Sequence, residues 1–207
     1  MLYRTLTFIA VFILALQGAS ALARQELPHG AVVPKRSHCQ VSPLSDDAFS
    51  SLQGRARAMM ATPEPFLRLE DVDDPLEASE LAEADLPAGL PADAETIAAI
   101  TVLELEFAAC RNAGELRRAA SLLTGDEQIH FVSYADLPEL SGNRFDVATP
   151  MPKDMRIPYV IVSGVRMFSD GRAGAVVDWG SERNFGLYEL IEGRWLVTGE
   201  IRLYDVY

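Results

Sequence analysis

The chain has 207 residues, two cysteines and a formal net charge of −12, a length that suits one ordinary domain with tails. Much of the acidity is local, because residues 64–95 hold eleven acids against Arg68 alone. Such a surface repels phosphate backbones and anionic lipid alike, which argues against nucleic acid or a membrane surface as partner.

The first residues, MLYRTLTFIAVFILALQGASALA, place one positive charge at Arg4 before an apolar run from Leu6 to Leu16 and the small-residue site Ala21-Leu22-Ala23. That order is the pattern of a secretory signal peptide over residues 1–23, with cleavage expected after Ala23. Gln17 and Gly18 interrupt the run, short of the roughly 20 apolar residues that span a membrane. The mature chain is therefore expected to be secreted or extracytoplasmic, and held at a membrane only if the leader is left uncleaved. Export makes Cys39 and Cys110 candidates for a disulfide, since these bonds persist in oxidising compartments. Closing a loop of about seventy residues would contribute roughly 4 kcal/mol in the chain-entropy account. The alternative leaves Cys110 a small buried apolar residue and Cys39 a free thiol.

Residues 24–92 read as an extended, low-order segment. Prolines at 28, 34 and 43 keep its start extended. One short helix is expected near 45–60, where Ser45 caps, Asp46 and Asp47 fill the first turn, and Phe49, Leu52, Ala56 and Met59 recur at helical spacing. Beyond it, residues 62–93 are rich in Pro, Ala, Glu and Asp. Without a sustained apolar face to offset the entropy of ordering, they are expected to form a largely disordered acidic linker.

Order is expected to resume in a domain over residues 93–207. Asp93 caps a helix whose Ile97, Ile100, Leu103, Phe107 and Cys110 form one apolar stripe. Asn112 and Gly114 end it. A second helix carries Leu116, Ala119, Ala120 and Leu123 inward, and a third turn of helix starts at Asp126. From Pro158 the texture turns β-branched and aromatic. One hairpin turns at Ser169-Asp170-Gly171-Arg172 and a second at Glu192-Gly193-Arg194. In the last strand, period two sets Trp195, Val197, Ile201 and Leu203 on one face, against Thr198, Glu200, Arg202 and Tyr204 on the other. Gly199 breaks the inward row and marks a bend or bulge. Helices first and an antiparallel sheet afterwards make an α+β domain.

The wording ELEFAACRNAGELRRAASLLTGDE, then VRMFSDGRAGAVVDWG, then YELIEGRWLVTGEI resembles the nuclear transport factor 2-like superfamily, also called SnoaL-like domains, over roughly residues 93–205. The resemblance is to exported bacterial members of unknown function. It implies N-terminal helices packed on a curved antiparallel sheet, a cone-shaped, cystatin-like roll around a cavity. Superfamily members include isomerases, cyclases and dehydratases as well as domains that only bind or dimerise, so the fold leaves function open.

Enzymes of this fold rely on an acidic residue inside the cone, often with His or Tyr. Here His130 and Tyr134 lie four apart on the third helix. Asp178 is a further candidate acid or base if its strand parity carries it inward; if neighbouring Trp179 points inward, Asp178 is outside the cavity. Each also has a plain structural reading, and no position matches the family's catalytic residues by motif. Phe107, His130, Tyr134, Trp179 and Tyr188 are the candidate pocket lining. Phe131 and Trp195 are further aromatics that serve a pocket or a core equally well. Three histidines and no Cys-x-x-Cys or His-Glu-x-x-His spacing leave a metal site without ligands, and no cofactor motif is present.

The resulting expectation is an exported, non-catalytic domain that binds a small apolar molecule or a protein partner and pairs with itself through its sheet. Two other readings stand beside it. One is an isomerase, cyclase or dehydratase working in the cone cavity, and the other a structural module on a spacer from a membrane anchor.

Overall fold

The computed structural model describes residues 27–61, 74–136 and 150–204. The leader at 1–23 and residues 62–73 of the expected linker lie outside the described residues. Among those described, four α-helices and a curled six-stranded mixed sheet make an α+β half-barrel.

Helix α1 (Asp46–Ala61) carries Asp46 and Asp47 in its first turn, where acids meet the positive end of the helix dipole. Its Leu52 and Ala56 are buried against Ala120, Ile129 and Val132. Helix α2 (Ala94–Ala113) starts at Asp93, whose carboxylate accepts from the Thr96 amide at 2.7 Å, and stops at Gly114, left-handed at φ 74°. The predicted stripe holds for Ile100, Leu103, Phe107 and Cys110. Ile97, expected inside, is 40% exposed, because it lies in the first turn before the helix reaches the core. Helix α3 (Leu116–Ala120) buries Ala119 and Ala120 while Leu116 stays half-buried. The chain then touches the sheet, with Val197 N–H donating to Leu122 O and Thr124 N–H to Val197 O, before helix α4 (Gly125–Asp136).

The strands are β1 (Glu80–Ala82), β2 (Leu90–Pro91), β3 (Ile161–Met167), β4 (Ala173–Asp178), β5 (Arg183–Ile191) and β6 (Arg194–Tyr204), ordered β1-β6-β5-β4-β3-β2. The expectation of a wholly antiparallel sheet needs correction. From β2 to β6 neighbours are antiparallel, but β1 runs parallel to β6, with Glu80 beside Arg202. The β5–β6 turn falls at Glu192 and Gly193, both at positive φ, as a two-residue hairpin turn requires.

Both faces of this sheet are apolar. The inner face, covered by the helices, carries Ala173, Ala175, Val177, Trp179, Tyr188 and Val197 against Ile100, Leu103 and Phe107 of α2. The outer face carries Val176, Phe185, Leu187 and Ile201, packed with Leu81 and flanked by Leu76 and Leu86. Residues 74–91, read from composition as linker, thus cover the sheet: Leu81 is fully buried and Leu76, Leu81 and Leu86 meet an outer face that would otherwise be wet. Burial of these leucines stabilises by about 1.5–3 kcal/mol for each that is fully enclosed, which offsets the ordering cost that the acidic composition suggested was unopposed.

Strand β6 also departs from simple alternation. Leu187 pairs with Gly199 and Tyr188 with Val197, so Thr198 is the extra residue of a bulge. Trp195 and Val197 therefore pack on the inner face while Ile201 and Leu203 pack on the outer one. The four residues expected on one face are split between two, and Glu200 turns inward.

The lead is pinned to α2. Cys39 and Cys110 form a disulfide, with Cα atoms 4.8 Å apart. Next to it the Glu106 carboxylate accepts from the amides of Gln40 and Val41, and Val32 bridges to Val160 just before β3. Among the described residues no helix is long and apolar enough to cross a membrane.

Candidate functional site

Glu104 lies four residues after Ile100 and three before Phe107, so the turn of α2 that buries those apolar residues buries this carboxyl with them. It is 1% exposed. The Tyr188 hydroxyl, directed inward from β5, donates to Glu104 Oε1 at 2.9 Å. Among the described residues, Glu104 Oε2 and the Trp179 indole Nε1 have no hydrogen-bond partner, although both are buried. Desolvation pushes the Glu104 carboxyl up to about 7, against the pull of the Tyr188 bond, the nearby indole N–H and the charge of Arg111. The indole is close enough to favour the anion without closing to a bond of ordinary geometry. Burial, then the Glu104 charge, raises the Tyr188 phenol well above its ordinary value.

Two more carboxyls converge here. Glu200 pairs with Gly186 across the β5–β6 ladder, and paired residues point to the same face. A Cβ at Gly186 would lie 2.3 Å from the Tyr188 hydroxyl oxygen, so that hydroxyl lies over the glycine and beside the stem of Glu200. Glu200 keeps some contact with solvent, yet enough protein surrounds it that burial, then repulsion from Glu127 and Glu104, raises its carboxyl well above the ordinary range; Arg111 opposes this. Burial also raises Glu127 on α4, with His130 one turn along pulling the other way.

Aromatic rings wall the same region. Phe107 packs on Phe131 with centroids 5.5 Å apart and on Trp179 at 5.9 Å. The Arg111 guanidinium lies 5.7 Å from the Phe107 centroid and 5.5 Å from that of Trp179, within reach of a cation–π contact. The assembly places a carboxyl that titrates near neutrality among acceptors and ring faces, equipment for moving a proton or holding a polar group in an apolar setting.

Of the residues singled out from sequence, Phe107, Trp179 and Tyr188 come together in this cluster. His130 is half-buried one turn from Glu127, and Phe131 joins through Phe107. The Tyr134 side chain lies outside the described residues. For Asp178 the structure takes the first of the two parities, with Trp179 inward: Trp179 packs on the inner face, and the Asp178 carboxylate accepts from Gly180 N–H at 2.7 Å. It shapes the turn after β4 and does not enter the cluster. Trp195 lines a separate surface groove of about 370 Å³, between α2 and the β5–β6 turn, together with Val102 and Leu103. Sequence reasoning missed Glu104, Glu200 and Arg111. The signal for Glu104 was its position inside the apolar stripe; Glu200 had none without the register of β6. Among the described residues no group of three or more His, Cys, Asp or Glu is placed to hold a metal ion.

Comparison of the chain with protein-family models, with curated proteins and with solved structures yields no match.

Proposed function

We propose that this protein is an exported small-molecule-binding domain of the nuclear transport factor 2-like kind, with its site on the inner sheet face around Glu104. The leader pattern and the Cys39–Cys110 disulfide support export, because such a bond persists in an oxidising compartment. The order of helices, hairpins and a curled sheet supports the cone-shaped reading. One observation carries the assignment of the site: Glu104 is fully buried, bonded to Tyr188 at 2.9 Å, and keeps a second carboxyl oxygen unpaired among aromatic rings. An unpaired buried acceptor costs about 1–3 kcal/mol, a cost that a ligand's polar group would remove. The apolar part of such a ligand would rest on Trp179, Phe107 and Phe131.

The test is a panel of small aromatic and aliphatic molecules titrated into the oxidised protein and into Glu104→Gln and Trp179→Phe variants. Saturable binding that weakens in both variants is expected. A panel without a single saturable ligand overturns the reading.

A second reading has its own support. A carboxyl held near neutrality beside a tyrosine hydroxyl suits general acid–base catalysis of an isomerase, cyclase or dehydratase. On that reading Glu104→Gln leaves a found substrate bound but unturned, and undiminished turnover in the variant removes it.

A further inference from the structure

We infer that the ligand of this inner-face site is a small organic cation, a protonated amine carried on an aromatic or compact apolar body. The inference rests on the site proposed above and adds the chemistry of its occupant.

Acceptors dominate the site. Glu104 Oε2 is unpaired. The Tyr188 hydroxyl donates its O–H to Glu104 Oε1, so only its lone pairs are left for anything beside it. The bulge at Thr198 brings Glu200 inward next to that hydroxyl. Against these stands, among the described residues, one buried donor without a partner, the Trp179 N–H, which lies near Glu104. An ammonium has three donors and no acceptor, the complement of this inventory. A carboxylate or phosphate ligand would instead meet oxygen atoms of its own sign.

Charge points the same way. Among the described residues, the charged groups bearing on the cluster are Glu104 and Arg111 from α2, Glu127 and His130 from α4, Glu200 from β6 and, at the exposed rim, Glu182 from the β4–β5 turn. Four acids face one arginine and one histidine, and like charges at close range are relieved by taking up protons or a cation. Arg111 lies over Phe107 and Trp179 at 5.7 and 5.5 Å, so the rings suit a positive group, while the guanidinium itself opposes a second cation on those two faces. Phe131 and Glu127 on α4 and Glu200 on β6 are half-buried, and the proposed entry lies on their side.

Without ligand the Glu104 carboxyl, pushed up to about 7, holds a proton at lower pH that an ammonium must displace. Amine affinity is therefore expected to rise with pH, on the order of tenfold or more between pH 5.5 and 7.5, as Glu104 ionises around 7.

Calorimetric titration of the oxidised protein with benzylamine, benzyl alcohol and benzoate separates the possibilities, since the three share a ring and differ in charge. Benzylamine is expected to saturate, to bind at least tenfold tighter than the other two, and to tighten with pH. Glu200→Gln is expected to weaken benzylamine about tenfold while leaving benzyl alcohol unchanged. Glu127→Gln on the opposite wall serves as the second variant, and the melting transition of each verifies folding. If benzyl alcohol or benzoate binds as tightly as benzylamine, the cation assignment fails and the inner-face site stands. The assignment also fails if neither variant changes benzylamine affinity. If none of the three saturates, the cation assignment and the site fall together.

Discussion

Tyr188 of β5 donates a hydrogen bond from its hydroxyl to Glu104 of α2 across the centre of the domain, at 2.9 Å and with both side chains buried.

Stability should depend on pH through Glu104. Its carboxyl titrates at about 7 in the folded chain against 4.5 in the unfolded one, so the folded state holds a proton that the unfolded state has lost. The stabilising contribution is full below pH 4.5 and is lost as pH rises through 7. The loss is roughly 3 kcal/mol. Urea midpoints measured between pH 4.5 and 8 should fall with rising pH and fall less steeply in Glu104→Gln, the raised Glu127 and Glu200 carboxyls keeping part of the slope; an unchanged slope in the variant would refute the assignment.

Gly186→Ala should be costly at a position that local sequence marks as ordinary strand. The new methyl would meet the Tyr188 hydroxyl oxygen at 2.3 Å, forcing the ring aside and breaking the bond to Glu104. A loss of about 2–4 kcal/mol is expected, from overpacking combined with a stranded buried carboxyl. Adding Tyr188→Phe should recover part of it, as a double-mutant cycle of thermal melts would reveal.

Removing the disulfide should loosen the lead before it unfolds the domain. Cys39→Ser with Cys110→Ala should lower stability by roughly 4 kcal/mol, on the chain-entropy account for a loop of this length. Amide exchange should quicken first at Gln40 and Val41, whose N–H groups are bonded to Glu106.

Leu81→Ala tests whether residues 74–91 belong to the folded unit. Leu81 is fully buried against Phe185 and Ile201, so truncation should cost about 2–5 kcal/mol. Leu90→Ala, at a residue 75% exposed, should stay within about 0.5 kcal/mol. Equal effects at the two positions would contradict the packing described.

The helices and hairpins could be read from sequence because their signals are local: a cap at Asp93, a stripe from Ile100 to Cys110, a turn at Asp170-Gly171. The outer-face cover could not. Leu76, Leu81 and Leu86 are spaced neither like a helix nor like a strand, and what orders them is a sheet face built about a hundred residues later. The site depends on distant registers in the same way. One extra residue at Thr198 inverts the face of everything after it in β6, so simple alternation leaves Glu200 in solvent. Asp178 lies outside the cluster for the complementary reason, since no bulge intervenes before Trp179 and the alternation there holds.

The strand arrangement has a consequence for association. Among the described residues the sheet is bordered by β1, of three residues, and β2, of two residues ending in Pro91, and a proline offers no N–H for an incoming chain to capture. Rows of unpaired backbone groups on long flat borders invite neighbouring molecules to zip on and polymerise. By placing its acidic segment there, the chain covers β6 at Arg202, Leu203 and Tyr204 and β3 at Arg166 and Met167 with stubs too short for a foreign strand to extend.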